Sequence, residues 1–335
     1  MNNKTLVVLV VLVAALALAA CCLAGGAGAL WAYGRGLFGA VEETTPPSQA
    51  AGAAEAVTSP SPAPAHPEQI AFLSSRDNPE FVSDIYLMNI DGSGLSEITD
   101  SSGLIQGFTW SPDGQRLAFQ SDRDGEDEIY VVNADGSGLL QLTDEEGFSA
   151  RNPAWSPDGV HIAFTLGREA DGTTYVARMR PDGSDVETLT EGGTPAWSPD
   201  GTQIAFAVMD RGLFVMNADG TGIEQLTDSR AYGYDWFPAW SPDGSQILFG
   251  SNRQTPGDAA TERPYVMNAN GTNALPFADM AWGQPPYAWS PDGRRIAYVD
   301  DFFFGLATLY IMDADGTNRQ PLMQDNQGLH PLWRP

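Results

Sequence analysis

The pentapeptide Trp-Ser-Pro-Asp-Gly occurs five times in this 335-residue chain, beginning at Trp110, Trp155, Trp197, Trp240 and Trp289. The spacings are 45, 42, 43 and 49 residues, and a sixth tryptophan, Trp333, follows 44 residues after Trp289. Repetition at this period points away from a single irregular core. It points to one supersecondary unit that cannot bury its faces alone and must pack against its own copies.

Each unit continues in the same way. A short apolar strand follows the pentapeptide: Ile70-Ala-Phe, Leu117-Ala-Phe, Ile162-Ala-Phe, Ile204-Ala-Phe, Ile247-Leu-Phe and Ile296-Ala-Tyr. Its large–small alternation suits a strand packed between two neighbours. A third strand follows, such as Ile85-Tyr-Leu-Met-Asn or Leu309-Tyr-Ile-Met-Asp. It ends in a turn of the form Ala-Asp-Gly (Ile90, Ala134, Pro181, Ala218, Ala269 with Asn, Ala314), and a fourth short strand such as Gln141-Leu-Thr closes most units. Proline presets φ for the first corner of a turn, aspartate bonds the turn backbone, and glycine accepts the positive φ needed to re-enter an antiparallel partner. Tryptophan supplies the largest buried area of each unit.

Four antiparallel strands per period predict an all-β fold, a six-bladed β-propeller. The chain enters on a second strand at Ile70 and leaves on a first strand at Trp333, so the last strand is expected to complete blade one. The six tryptophans Trp110, Trp155, Trp197, Trp240, Trp289 and Trp333 are scaffold residues in this reading.

The propeller occupies residues 68–335. Residues 1–36 read as a hydrophobic helix that anchors the chain or directs its export: residues 5–34 carry no charge and are long enough to span a bilayer. Three fates are open: an uncleaved anchor, with Trp31 and Tyr33 placed as interfacial residues, a lipoprotein signal with Leu18-Ala-Ala-Cys21 lipidated at Cys21, or ordinary cleavage. Residues 37–67 are rich in Pro, Ala, Ser and Thr and form a disordered linker. The only cysteines are Cys21 and Cys22, so the repeat region has neither a disulfide nor a thiolate metal site.

Forty-three acidic against 17 basic residues give a net charge of −26. That balance opposes binding to nucleic acid or to anionic headgroups. With only one lysine, Lys4, nothing holds the repeat region on the cytoplasmic side, and the domain is expected to be extracytoplasmic.

The units Pro153-Ala-Trp-Ser-Pro-Asp-Gly-Val-His-Ile-Ala-Phe and Ile129-Tyr-Val-Val-Asn-Ala-Asp-Gly resemble the WD-like β-propeller repeat of the TolB family, over about residues 68–335. The resemblance implies a periplasmic, six-bladed, non-enzymatic propeller that binds protein partners in the cell envelope. TolB proteins carry an additional N-terminal α/β domain, and an apolar segment and linker stand in its place here.

Catalytic signatures are sparse. There is no Gly-Xaa-Ser-Xaa-Gly elbow and no phosphate loop. The histidines His66, His161 and His330 read as structural or solvent-exposed. Asp122, Asp124 and Asp127 in an acidic loop around Gly125 are candidate ligands for a Ca²⁺ ion, against the reading of a solvated hairpin loop; no other cofactor is expected. In a four-stranded meander the second-to-third loops and the blade-to-blade connections share one face, and these are the segments that break the repeat. Tyr232, Tyr234, Trp236, Trp282, Phe302 and Phe303 fall there and form the candidate partner-binding surface. The reading is a monomeric, membrane-tethered binding module for a protein, or a cell-envelope glycan. The alternative is a carbohydrate-active hydrolase or lyase using carboxylates at the central channel.

Overall fold

A computed structural model of the chain describes residues 68–77, 82–100, 103–230, 233–253, 263–277, 284–303, 306–323 and 328–335. Among these residues are 24 strands in six four-stranded antiparallel sheets, the six-bladed propeller expected from the repeats. The predicted N-terminal helix, Cys21 and the linker lie outside the described residues.

In each blade the strand that ends in the repeat tryptophan is innermost. These inner strands are Ile105–Trp110, Phe148–Trp155, Gly193–Trp197, Asp235–Trp240, Gln284–Trp289 and Leu329–Trp333. The last of them pairs with Gln69–Ser74, so blade one is built from both ends of the domain, with Ile70 opposite Trp333 and Ala71 opposite Leu332. Where they are described in full, the outermost strands of most blades are only two residues long, as at Ser96–Glu97 and Leu140–Gln141. Such short edges limit pairing with other chains.

Among the described residues the core forms six separate clusters, one between each pair of neighbouring blades. Alternation along the second strand explains this. Ile70 and Phe72 pack toward blade six, while Ala71 and Leu73 pack toward blade two. The aromatic third position of that strand is buried in every blade, at Phe72, Phe119, Phe164, Phe206, Phe249 and Tyr298. Each tryptophan fills the interface with the preceding blade. The Trp197, Trp240 and Trp333 indole N–H groups donate to the carbonyls of Ala154, Ala196 and Ala288 on the preceding inner strand, at 3.1, 3.2 and 3.1 Å.

The serine of the pentapeptide is buried in all five copies. In the turn at Ser241, its Oγ–H donates to Asp243 Oδ1 at 2.6 Å and its Oγ accepts from Gln246 N–H at 2.9 Å. The Ser245 amide donates to the same aspartate oxygen at 3.0 Å. Gly244, at φ +71°, completes the turn, with its N–H on the Ser241 carbonyl at 2.8 Å.

Bonds from the Ser241 hydroxyl, the Ser245 amide and the Ser245 hydroxyl hold the Asp243 carboxyl down at about 2. Hydroxyl bonds lower Asp91, Asp135, Asp182, Asp200, Asp219, Asp292 and Asp315 in the same direction. A carboxylate depressed in the folded state contributes stability that is complete above its unfolded pKa and is lost as pH falls through the folded one. Thermal unfolding is therefore expected to be flat above about pH 5 and to fall steeply between roughly pH 4 and 2. A melting midpoint unchanged down to pH 2 would contradict this account of the turns.

One sequence expectation changes. Asp300-Asp-Phe-Phe-Phe-Gly was expected as a loop, but Arg295–Phe303 is a nine-residue strand paired with Leu306–Asp313, out to Phe303 opposite Leu306. A run of aromatics favours continuing the ladder over a turn.

Candidate functional site

Prolines interrupt the inner strands at Pro153, Pro195, Pro238 and Pro331. A proline cannot donate to a ladder and inside a sheet is confined to edges or bulges. All six inner-strand ladders carry a register shift, for example between Arg151 and Ala154, Gly193 and Ala196, and Trp236 and Ala239. The residue before each of these prolines turns into the left-handed region: Asn152 at φ 51°, and Thr194, Phe237 and His330 at 50°. A residue preceding proline normally stays extended, and a β-branched or bulky side chain at positive φ is an outlier. Such strain persists where the surroundings over-determine it, and it concentrates at functional sites.

Side chains from adjacent strands hold the bulges. The Asn152 amide donates to Gln120 Oε1 at 3.2 Å, and the Thr194 amide donates to Thr165 Oγ1 at 2.8 Å. Gln120 in turn donates to Gln106 Oε1 at 3.2 Å, which extends the polar belt across blades two to four.

The four strained residues share one feature: all line a cavity of about 190 Å³ at the ring axis, whose wall takes residues from all six inner strands. The wall is mainly apolar, with Phe108, Pro153, Pro195, Phe237, Pro238 and Tyr287. Its polar members include Asn152, Thr194 and His330, and among the described residues no Asp, Glu, Arg or Lys contributes to it. His330 packs on Phe108 in a tilted arrangement, with ring centroids 5.2 Å apart. Burial pushes its imidazole down to about 4, against a hydrogen bond to the Gln106 backbone that favours the charged form, so the ring is neutral at neutral pH.

The inner strand of blade five begins on the variable-loop face. There Tyr234 packs against Trp236 in a tilted arrangement, with centroids 5.6 Å apart and Tyr234 40% exposed. Asn252 fixes the Tyr234 backbone from both sides: its Oδ1 accepts the Tyr234 N–H at 2.7 Å, and its own N–H donates to the Tyr234 carbonyl at 3.2 Å. Between the two aromatics Asp235 turns inward. It accepts from Thr227 Oγ1 at 2.6 Å and from Arg253 at 2.9 Å, and the Arg253 guanidinium covers the rings of Phe249 and Tyr265.

Of the six residues expected to form the partner surface, Tyr234 and Trp236 are thus brought together. Tyr232 and Trp282 lie outside the described residues. Phe302 and Phe303 lie on the extended strand of blade six, and their side chains are outside the description. The three candidate cation ligands point to different partners. Asp122 Oδ1 accepts the Leu104 N–H at 2.6 Å, Asp124 Oδ2 accepts the Tyr130 hydroxyl at 2.6 Å, and Asp127 pairs with Arg151 at 2.7 Å. Among the described residues no three His, Cys, Asp or Glu side chains converge as a metal site. His161 stacks beside Trp197 at 6.5 Å as a structural residue, and His66 is outside the described residues. His330, expected to be structural or exposed, stands in the cavity wall. Its signal was present in the sequence: His330-Pro-Leu-Trp matches Asn152-Pro-Ala-Trp, Thr194-Pro-Ala-Trp and Phe237-Pro-Ala-Trp, and a proline inside a predicted central strand marks a bulge.

Among the described residues no helix is long and apolar enough to cross a membrane; residues 5–34 are outside them.

The TolB beta propeller domain family matches residues 44–194 and 191–302. Among solved structures, TolB from Acinetobacter baumannii superposes with a TM-score of 0.67 at 20% identity, covering 80% of this chain and 67% of that one. The putative TolB from Agrobacterium tumefaciens gives 0.58 at 21% identity, covering 78% and 90%. An oligogalacturonate lyase from Vibrio parahaemolyticus gives 0.53 at 16% identity, covering 76% and 74%. A comparison with curated protein sequences finds no match.

Proposed function

Since the chain belongs to the TolB beta propeller domain family, we propose that it is a non-enzymatic, membrane-tethered binding module that recognises a protein partner outside the cytoplasm through the variable-loop face of the ring. The observation that carries this reading is the Tyr234–Trp236 pair. It is a half-exposed aromatic surface whose backbone is already fixed by Asn252 and by the inward Asp235. Preorganised aromatics of this kind bind at low ordering cost and are typical energetic anchors of protein interfaces. The charge-free wall of the channel supports binding over chemistry, because carboxylate catalysis of glycoside cleavage needs a pair of acids at the reacting centre. The apolar stretch at residues 5–34 and the Pro-rich linker would hold the ring away from the bilayer.

The test is site-specific photocrosslinking with the full chain in native membranes. A photoreactive residue at position 234 is expected to give a discrete protein adduct, and one at Val160, exposed on the opposite face, is expected to give none. Trp236→Ala should lower the yield from position 234 by about tenfold or more. Equal labelling from both positions, or indifference to Trp236, would remove the proposed face.

A further inference from the structure

Methionine is a residue that the ring hides with one exception among the described residues. Met88, Met179, Met216, Met267, Met312 and Met323 are each no more than 8% exposed. Met209 is 77% exposed, the highest value of any large hydrophobic side chain described. It lies in blade four between strands Gln203–Val208 and Gly212–Asn217, and so on the variable-loop face. The hairpin there is tight. Val208 pairs with Gly212, and the Arg211 N–H closes the turn on the Val208 carbonyl at 3.0 Å. Met209 and Asp210 are its two corners, with Asp210 in the left-handed region at φ 57°. The tip holds Met209 clear of the blade interfaces that bury the other six.

Two routes of hydrogen bonds join this hairpin to the Tyr234–Trp236 surface. The Arg211 carbonyl accepts the Ser229 N–H at 3.3 Å, and the Ser229 carbonyl accepts the Gly233 N–H at 2.9 Å, immediately before Tyr234. The Leu213 N–H donates to Thr227 Oγ1 at 2.9 Å, and that hydroxyl donates to Asp235, between the two aromatics. Met209 is thus the exposed thioether of the segment that supports the proposed partner surface.

An exposed thioether is open to two-electron oxidants. Hydrogen peroxide transfers one oxygen to the sulfur: the O–O bond breaks, the sulfur gives up two electrons, and water leaves. The product is a polar sulfoxide, which methionine sulfoxide reductases return to the thioether. No thiol competes within residues 68–335, since Cys21 and Cys22 are the only cysteines of the chain.

We propose that Met209 is an oxidation site for peroxide, and that its sulfoxide weakens partner binding at the loop face. The thioether is an apolar, adaptable contact of the kind that interfaces favour. Oxidation sets a strong polar oxygen in its place. The oxidation site stands on exposure and chemistry alone, while its effect on binding rests on the protein-partner reading above.

The test treats native membranes carrying the full chain with increasing hydrogen peroxide. Mass spectrometry should find one oxygen added at Met209 at doses about tenfold below those that modify the six buried methionines. Photocrosslinking from position 234 should fall about fivefold in step with that modification. Met209→Gln should show the same fall without peroxide. Met209→Leu, apolar and without sulfur, should crosslink as the unaltered chain does and should resist peroxide. Substitution at an exposed tip is close to neutral for folding, so these changes report on binding. Oxidation of Met209 no faster than that of the buried six would overturn the site. An adduct that survives complete oxidation of Met209, or that peroxide removes equally from Met209→Leu, would overturn the effect on binding. Absence of any adduct in untreated membranes would instead remove the partner reading and the effect on binding with it, and the oxidation site would still be decided by mass spectrometry.

Discussion

A chain ending at residue 328 is expected to lose its cooperative fold. Strand Leu329–Trp333 supplies the inner strand of blade one and pairs with Gln69–Ser74. Its loss would expose a long edge carrying Ile70 and Phe72, both fully buried in the closed ring, and such an edge invites association. The cluster between blades six and one would lose Trp333, which is 6% exposed. The ties of Arg334 would go too: its N–H on the Gln69 carbonyl at 3.0 Å, its side chain on the Gly114 carbonyl at 2.9 Å, and its guanidinium over Trp110. Trp333→Ala alone should cost about 3–5 kcal/mol, a large share of the ~5–15 kcal/mol that holds an ordinary domain together. The truncation removes this together with a whole strand ladder. Melting by circular dichroism should show Trp333→Ala lowered by many degrees and the truncated chain without a sharp transition, with aggregation on gel filtration. A truncated chain that stays monomeric and melts within a few degrees of the intact one would mean that the ring does not need its closing strand.

That closure was legible because the repeat is cut out of phase at both ends. Ile70 begins on a second strand and Trp333 finishes on a first, and a ring is the arrangement in which the two halves of a blade meet. The scaffold roles of Trp, Pro, Asp and Gly were also readable, since each acts through local geometry. Serine was the silent member of the pentapeptide: its hydroxyl is the hub of the turn, but a small polar residue does not reveal in sequence whether it is buried. The channel site was harder for a different reason. Asn152, Thr194, Phe237 and His330 share neither charge nor chemistry. What unites them is a backbone conformation, imposed by a bulge and a following proline, that turns four unlike side chains to one axis. The loop face was legible only in part. Aromatic composition pointed to Tyr234 and Trp236, but not to the contacts beside them, Asn252 on the Tyr234 backbone and Arg253 on Asp235, from a strand away.

That dependence makes Asp235 the residue through which the stability of blade five and the shape of the loop face are joined. Its side chain is wholly buried, and Arg253, its partner, is 18% exposed. Thr227 Oγ1 donates to Asp235 and accepts the Leu213 N–H at 2.9 Å, so one carboxylate links the blade-to-blade connection, the third strand of blade four and the second-to-third loop of blade five. Removing one partner of a buried ion pair leaves the other charge uncompensated and typically costs about 3–5 kcal/mol. Asp235→Ala should reach that range in denaturant unfolding. Asp235→Asn, which still offers Thr227 an acceptor, should cost less. Combining Asp235→Ala with Arg253→Met should recover part of the loss, because the stranded charge is gone. At temperatures where the ring remains folded, Asp235→Ala should also lower crosslinking from position 234, since Asp235 lies between Tyr234 and Trp236 and anchors both. Full additivity of the two single substitutions, or crosslinking as strong as in the unaltered chain, would show that the pair neither couples these segments nor sets the aromatic surface.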